Sequence, residues 1–211
     1  MTQILVYGDS LTWGIVPGTR QRLPAAQRWP LILERELTGS GRDVRIVEDC
    51  LNGRRTVWDD PFKPGRNGLA GLEQRMEVNA PLALVILMLG TNDFQSVHQH
   101  NAFHSSQGIA SLVLAIRKAP IEPGMPVPSV LVIAPPRCTV PAGTMTLKFE
   151  CAPQKSQGLS DAYRAVAAEL DCGFFDAGAV VSASPADGVH LDAEAHATLA
   201  RQLVPVVAEL L

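Results

Sequence analysis

The sequence predicts a three-layer α/β/α sandwich built on a central parallel sheet, and two observations carry that prediction. Short apolar runs alternate with helical patterns along the chain, as a parallel sheet with helices on both faces requires. The longest run, residues 82–89, is continuously apolar, which is typical of a strand buried on both faces. With 211 residues, of which 46% are hydrophobic, residues 1–211 are expected to form one domain with a full core.

Five strands and five main helices are predicted. The strands are expected at residues 4–7, 44–47, 82–89, 130–133 and, more weakly, 174–175. The helices are expected near residues 29–37, 69–78, 109–116 and 159–170, and from about Asp192 to the C-terminus. Asp192 is a favourable N-cap and Pro205 predicts a kink in the last helix. Residues 135–156 show little periodicity, so we expect a long loop over the functional site.

Charge and hydropathy exclude several classes of protein. The formal net charge is −3 and no block of Lys and Arg stands out, so neither nucleic acid nor an anionic membrane is an expected partner. No apolar stretch has the length of a membrane span. The N-terminus begins in a strand pattern without the features of a signal peptide, which predicts a cytoplasmic protein.

The four cysteines do not form a metal or redox motif. Cys50, Cys138, Cys151 and Cys172 contain no C-x-x-C pair. Free thiols are expected in a protein without an export signal. A bridge between Cys138 and Cys151 is left open as a minor alternative.

The residue types needed for nucleophilic acyl transfer occur in suitable places. Ser10 directly follows the first predicted strand, and Asp187 lies three residues before His190. A serine hydroxyl is a weak nucleophile that needs a base to accept its proton and an acid to orient that base. These residues predict a serine hydrolase that needs no cofactor and no metal.

Further polar segments follow the second and third predicted strands, at residues 52–56 and 90–93. In an open parallel sheet, ligands bind at the carboxyl ends of the strands. We therefore expect these segments, Ser10 and the segment from Asp187 to His190 to converge at one edge of the sheet.

Four segments, in this order, resemble the signature blocks of the SGNH (GDSL) hydrolase family. They are residues 8–11 (Gly-Asp-Ser-Leu), Gly53, residues 90–93 (Gly-Thr-Asn-Asp) and residues 187–190 (Asp-Gly-Val-His). The blocks span nearly the whole chain. The stretch from residue 8 to residue 14 and the short length resemble the bacterial arylesterase/acyltransferase (perhydrolase) branch. The resemblance implies the SGNH-hydrolase fold with a flavodoxin-like sheet.

The resemblance also implies roles and substrates. Ser10 would be the nucleophile, His190 the general base and then acid, and Asp187 the residue that orients His190. The oxyanion donors would be the backbone N–H groups of Ser10 and Gly53 and the side-chain amide of Asn92. The expected substrates are small carboxylic esters, mainly acetyl esters of aryl, alkyl or sugar alcohols. Acyl transfer to alcohols or hydrogen peroxide and assembly into a homo-oligomer are expected as well.

Several of these residues could instead have purely structural roles. Ser10 alone would be read as a helix N-cap, and Asp9 and Asp93 are expected to hold turns by hydrogen bonds. Trp13 is expected either to wall the substrate pocket or to belong to the core. Arg54 and Arg55 could bind an anionic substrate, but one salt-bridged and one solvated side chain is the expected arrangement.

His98, His100 and His104 suggest either a metal site or a polar surface loop that leads into a helix, and we favour the loop. One or two of these side chains could also line the substrate entrance. No G-x-G-x-x-G or P-loop pattern is present, so a dinucleotide or nucleotide site is not predicted.

Two other functions are compatible with the sequence. A thioesterase or lysophospholipase would act on longer acyl chains and would need a long apolar groove, which residues 135–156 could form. A non-catalytic carbohydrate- or lipid-binding relative would share the fold without the chemistry. The sequence alone favours the short-chain esterase.

Overall fold

A five-stranded parallel sheet forms the centre of the computed structural model, which describes residues 1–119 and 122–211. The strands are β1 (Thr2–Gly8), β2 (Val44–Cys50), β3 (Leu84–Met88), β4 (Ser129–Ala134) and β5 (Gly173–Asp176). Their spatial order is β2-β1-β3-β4-β5, with every neighbouring pair parallel. In this flavodoxin-like order the winding direction reverses between β1 and β3, and ligands bind outside that point. The predicted parallel sheet is confirmed.

Two layers of helices cover the sheet. The helices are α1 (Ser10–Trp13), α2 (Trp29–Gly39), α3 (Leu72–Asn79), α4 (Ala102–Lys118), α5 (Ala152–Lys155), α6 (Leu159–Glu169) and α7 (Ala193–Leu210). Helix α2 packs against α7, whereas α4 packs against α3 and α6. Because apolar side chains from both layers meet the sheet, the middle strand β3 is buried along its whole length. The three-layer α/β/α sandwich is confirmed.

The ends of the helices differ from the sequence prediction for local reasons. Helix α3 begins later than predicted, directly after Gly71, which has a φ of 79°. Helix α4 begins earlier because Asn101 and His104 form a reciprocal capping box at its start. Asp192 occupies the N-cap position of α7, but its side chain makes no capping hydrogen bond. Helix α7 continues past Pro205 to Leu210.

The segment at residues 135–156 lies against the loop that carries Asp187. It contains a 3-10 turn, Gly143–Met145, and the short helix α5. The backbone N–H of Thr139 donates to the Gly188 carbonyl at 2.9 Å, and that of Ala142 donates to the Asp187 carbonyl at 3.0 Å. The predicted loop thus contains two short helical elements, and these hydrogen bonds attach it to the loop that carries Asp187.

The cysteines are free, including Cys138, which is buried, and Cys151, which is exposed. The alternative of a bridge between these two residues is wrong for this structure. Among the helices of residues 1–119 and 122–211, none is long and apolar enough to cross a membrane.

We expect Gly108→Ala to destabilise the fold although alanine favours helices. In α4, a Cβ at residue 108 would overlap the side chain of Thr56, which is buried against the helix. Overpacking of this kind costs about 1–3 kcal/mol. In Gly39→Ala, the matched control at the end of α2, the added Cβ meets no atom within 4 Å among the described residues. It should be neutral or gain up to about 1 kcal/mol.

Urea denaturation of both variants measures the difference in the free energy of unfolding. Equal stability of the two variants would contradict the close packing of α4 against Thr56.

Candidate active site

Four loops from separate parts of the chain meet at the carboxyl edge of the sheet. Ser10 begins α1 after β1, Gly53 follows β2, Asn92 lies in a 3-10 turn after β3, and His190 precedes α7. All four residues line one cavity. The parallel strand order explains this convergence, since the loops after β1, β2 and β3 leave the same edge of the sheet.

Ser10, His190 and Asp187 form a hydrogen-bonded chain. His190 Nε2 lies 3.2 Å from Ser10 Oγ, and His190 Nδ1 lies 2.7 Å from Asp187 Oδ2. The side chains of all three residues are buried. A proton on Nδ1 leaves Nε2 free to accept from the hydroxyl, so the arrangement can draw a proton from Ser10.

Asp187 is held as a charged carboxylate by several donors. Its Oδ1 accepts from the backbone N–H groups of Val189 and His190, each at 2.9 Å. Its Oδ2 accepts from the Gly18 N–H at 3.0 Å in addition to the His190 ring. Burial alone would raise the pKa of Asp187, but these hydrogen bonds hold it well below its usual range. Asp187 can therefore stabilise a positive charge on His190.

Asp9 caps the short helix that presents Ser10. Its carboxylate accepts from the Leu11 N–H at 2.9 Å, and Gly14, with a φ of 85°, ends the helix one turn later. The alternative that Ser10 is the N-cap is wrong, because Asp9 occupies that position. Burial raises the pKa of Asp9 to about 6, although Leu11, His190 and Asn92 oppose that shift.

A buried chain of hydrogen bonds fixes the Asn92 side chain. Its Nδ2 donates to Asp9 Oδ2 at 2.9 Å and to the Arg54 carbonyl at 3.2 Å. Its Oδ1 accepts from Gln95 Nε2 at 2.7 Å, while Gln95 Oε1 accepts from Arg55 at 2.8 Å. The amide nitrogen is thus held in one orientation, with both of its hydrogens already used. The sequence analysis identified Asn92 as a site residue but missed Gln95, because Gln95 belongs to none of the motifs.

Gly53 is required by its backbone conformation. Its φ is 83°, in the left-handed region that favours glycine, while a Cβ there would meet only the Arg66 side chain, at 3.9 Å. The backbone conformation alone therefore favours glycine at this position. No described residue accepts from the backbone N–H of Gly53 or Ser10, which leaves both free to donate to a ligand.

Asp93 holds the neighbouring loops together. Its carboxylate accepts from the Thr56 N–H at 3.0 Å, the Thr56 hydroxyl at 2.8 Å and the Ser105 hydroxyl at 2.7 Å. Burial raises its pKa to about 6, against the effect of these donors. Asp93 therefore joins the loop after β2 to helix α4 and does not line the cavity that holds Ser10.

Arg54 and Arg55 are both buried and both paired, so the expectation of one solvated side chain is wrong. Arg54 binds Asp49 at 2.7 Å and lies 3.8 Å over the Tyr7 ring. Arg55, which is fully buried, binds Asp60 at 2.8 Å. Both guanidinium groups are thus buried, and each forms an ion pair with a carboxylate of the protein.

Trp13 is not among the residues that line the cavity around Ser10. It is half-buried, with the Arg22 guanidinium 4.7 Å from its ring and Arg22 Nε donating to its carbonyl. Trp13 thus belongs neither to the buried core nor to the cavity wall, the two roles expected for it. Ile15, two residues later, lines the cavity in its place.

His98 and His100 stack on each other beside Trp58, and the His104 ring is tilted against His100. The ring centroids of His98 and His100 are 4.7 Å apart, and those of His100 and Trp58 are 4.1 Å apart. His104 Nδ1 accepts from the Asn101 N–H as part of the α4 capping box. Burial lowers the pKa of His100 to about 4, with a contribution from His98 and His104. Within the described residues, no group of three or more His, Cys, Asp or Glu is arranged to hold a metal ion.

The cavity at Ser10 is small and partly apolar. Its volume is about 40 Å³, and Ile15, Met145 and Phe149 contribute to its walls. Ligand sites for larger molecules usually measure about 300–1,000 Å³. A separate cavity of about 320 Å³ lies beyond β4 and β5 and contains neither Ser10 nor His190.

Comparisons with known proteins agree with this geometry. Residues 6–198 match the model of the GDSL-like lipase/acylhydrolase family. No curated protein matches the sequence.

Several solved structures are similar over the whole chain. A carbohydrate acetylesterase family member from Sinorhizobium meliloti is 37% identical, with a TM-score of 0.94, over 100% of this chain and 99% of that one. The M. smegmatis aryl esterase is 35% identical, with a TM-score of 0.93, over 100% of both chains. A candidate arylesterase from Agrobacterium tumefaciens str. C58 is 41% identical, with a TM-score of 0.91, also over 100% of both chains.

The family match covers most of the chain, the sheet is that of the SGNH-hydrolase fold, and esterases share its structure over their full length. The chain therefore belongs to the GDSL-like lipase/acylhydrolase family and is a carboxylic ester hydrolase.

Proposed function

We propose that the enzyme hydrolyses short-chain carboxylic esters, mainly acetyl esters of aryl, alkyl or sugar alcohols, through an acyl-Ser10 intermediate. The observation that carries this proposal is the hydrogen-bonded chain of Ser10, His190 and Asp187 beside a cavity of about 40 Å³. The cavity is small compared with the sites of larger ligands, which favours a short acyl group over a long acyl chain. The carbohydrate acetylesterase and aryl esterase among the similar structures support the alcohol classes.

In the first half of the reaction, Ser10 Oγ attacks the carbonyl carbon of the ester and its proton passes to His190 Nε2. The carboxylate of Asp187 stabilises the resulting imidazolium. When the tetrahedral intermediate collapses, His190 gives the proton to the leaving oxygen, the bond to the alcohol breaks and the acyl group stays on Ser10. In the second half, His190 takes a proton from water as the water oxygen attacks the acyl carbon. When this second tetrahedral intermediate collapses, the bond to Ser10 Oγ breaks, His190 returns the proton to Ser10 and the acid leaves.

The negative oxygen of the tetrahedral intermediate needs donors beside Ser10. The backbone N–H groups of Ser10 and Gly53 are free for this purpose, and we propose Asn92 Nδ2 as the third donor. One of the Asn92 bonds must then give way to the substrate. The bond to the Arg54 carbonyl is the longer of the two, at 3.2 Å, and joins neutral groups, so it is the one we expect to be replaced.

The alternatives are less well supported. A wider groove of about 590 Å³ adjoins the cavity, with Phe62 and Leu147 exposed in its wall, and this feature favours an esterase for longer acyl chains. The small space at Ser10 argues against that alternative. Family membership and the Ser10–His190 contact argue against a non-catalytic binding protein. A homo-oligomer, a cytoplasmic location and a single domain over residues 1–211 stay predictions.

Ser10→Ala should abolish ester hydrolysis while leaving the fold intact. With p-nitrophenyl acetate, butyrate and octanoate, we expect wild type to favour acetate and the variant to lose about 10³-fold or more in kcat. Ser111→Ala, a serine of α4 that lines a separate cavity, is the matched control and should retain activity. Turnover that survives in Ser10→Ala would contradict the proposed nucleophile, and a preference for octanoate would contradict the short-chain proposal.

Gln95→Glu tests whether the orientation of Asn92 matters. Glutamate still accepts from Arg55 but turns a carboxylate oxygen toward Asn92 Oδ1, so the amide should rotate and its nitrogen should leave the site. We expect kcat to fall about tenfold to a hundredfold with a smaller change in KM, because a transition-state donor is lost. Gln107→Glu, at an exposed position of α4, controls for the added charge. An unchanged kcat in Gln95→Glu would contradict the proposal that the Asn92 amide donates to the oxyanion.

We also propose that the acyl-enzyme passes its acyl group to alcohols, because Ile15, Met145 and Phe149 give the cavity at Ser10 an apolar part that an alcohol can contact. With vinyl acetate and benzyl alcohol in buffer, benzyl acetate should form in excess of the amount expected from the ratio of alcohol to water. Gas chromatography measures both products. Acetic acid alone would contradict acyl transfer and would leave the esterase proposal in place.

A further inference from the structure

Three cationic side chains stand around the cavity that holds Ser10. They are Arg20, Lys63 and Lys148, which come from the loop after α1, the loop after β2 and the segment at residues 135–156. All three are exposed to solvent. Two are fixed at the backbone, since Lys63 N–H donates to Asp60 Oδ1 at 3.1 Å and the Lys148 carbonyl accepts from the Ser96 N–H at 2.8 Å.

The positive charge of these groups is not compensated. Among the described residues, none of the three side chains takes part in an ion pair or donates a hydrogen bond. Asp60 is the carboxylate that lines the same cavity, and it is already bound by Arg55 at 2.8 Å and by the Phe62 N–H at 2.9 Å. Three positive charges thus surround the cavity of a chain whose net charge is −3.

The charges are close enough to act on one another. Burial lowers the pKa of Lys148, and the charges of Arg20, Arg55 and Lys63 lower it further, against the effect of Asp60. Like charges that face a common space repel each other, so an anion placed between them removes that repulsion as well as adding attraction.

The same cations border a second, larger space. Asp60, Lys63 and Lys148 line both the cavity of about 40 Å³ at Ser10 and the adjoining groove of about 590 Å³. The other wall of that groove includes Phe62, Val97 and Leu147, which are exposed. An ester with its acetyl group at Ser10 would place its alcohol portion past the lysines and into this groove.

We propose that the enzyme selects esters whose alcohol portion carries an anionic group, a carboxylate, sulfate or phosphate, which Arg20, Lys63 and Lys148 bind. This inference rests on the proposed function, since it names the substrate class of the same site. A short acyl group enters the small cavity, the anion lies among the three cations, and the rest of the alcohol lies against the apolar wall of the groove.

The test compares an anionic ester with a neutral one in the wild-type enzyme and in a charge variant. 4-Acetoxybenzoate and methyl 4-acetoxybenzoate differ in the charge at the far end of the ring, and the double variant Lys63→Gln/Lys148→Gln removes two of the three cations. We expect the ratio of kcat/KM for the anionic ester to that for the neutral ester to fall about five- to fiftyfold in the variant. In the wild type, the same ratio should fall as salt is added.

Lys118→Gln, an exposed lysine of α4 outside the cavity, is the control and should keep the wild-type ratio. 4-Acetoxyphenyl sulfate and 4-acetoxyphenyl phosphate then show which anion binds best.

A ratio that is unchanged in the double variant, because kcat/KM is either unaffected or falls equally for both esters, would overturn the inference. In either case, Ser10-dependent hydrolysis of the neutral ester would leave the proposed function standing. Failure of the wild type to hydrolyse either ester would overturn the proposed function and this inference together.

Discussion

The contact between Ser10 Oγ and His190 Nε2 joins two parts of the chain that lie 180 positions apart, and the rest of the site depends on it. The contact forms only because β1 ends at the edge of the sheet where the loop before α7 also arrives. The loop is fixed in turn by Asp187, whose carboxylate accepts from the backbone N–H groups of Val189, His190 and Gly18 and from the His190 ring. In the proposed mechanism, this placement lets three weakly reactive side chains act as base, nucleophile and counter-ion.

A second constraint is that the charges behind the site are buried. Arg55, Asp9 and Asp93 lie in the interior, where each charge needs a partner. Hydrogen bonds connect Asp60 through Arg55, Gln95 and Asn92 to Asp9, so the proposed oxyanion donor is part of a structural network, whereas Asp93 is bound separately by Thr56 and Ser105. Such a network limits the rotation of the Asn92 amide before substrate arrives, which is the preorganisation that stabilisation of a developing charge requires.

The sequence predicted the sheet, its main helices and the loops that meet, because hydrophobic periodicity is a local property of the chain and the carboxyl ends of parallel strands lie at one edge of a sheet. It could not predict which side chains the loops turn inward. Trp13 lies beside the nucleophile in sequence but pairs with Arg22, whereas Lys148 reaches the cavity from a distant part of the chain and Gln95 bonds to Asn92 within the same turn. The burial of both Arg54 and Arg55 also depends on how the loop after β2 closes, which spacing does not show.

The central claim is that Ser10 carries the covalent intermediate and that His190 activates it. Diethyl p-nitrophenyl phosphate reacts with an activated serine and stays attached, so mass spectrometry of the intact protein and of its peptides locates the adduct. The account predicts one adduct per chain, on Ser10, with labelling strongly slowed in His190→Ala. An adduct on another residue, or equal labelling of the two proteins, would contradict it.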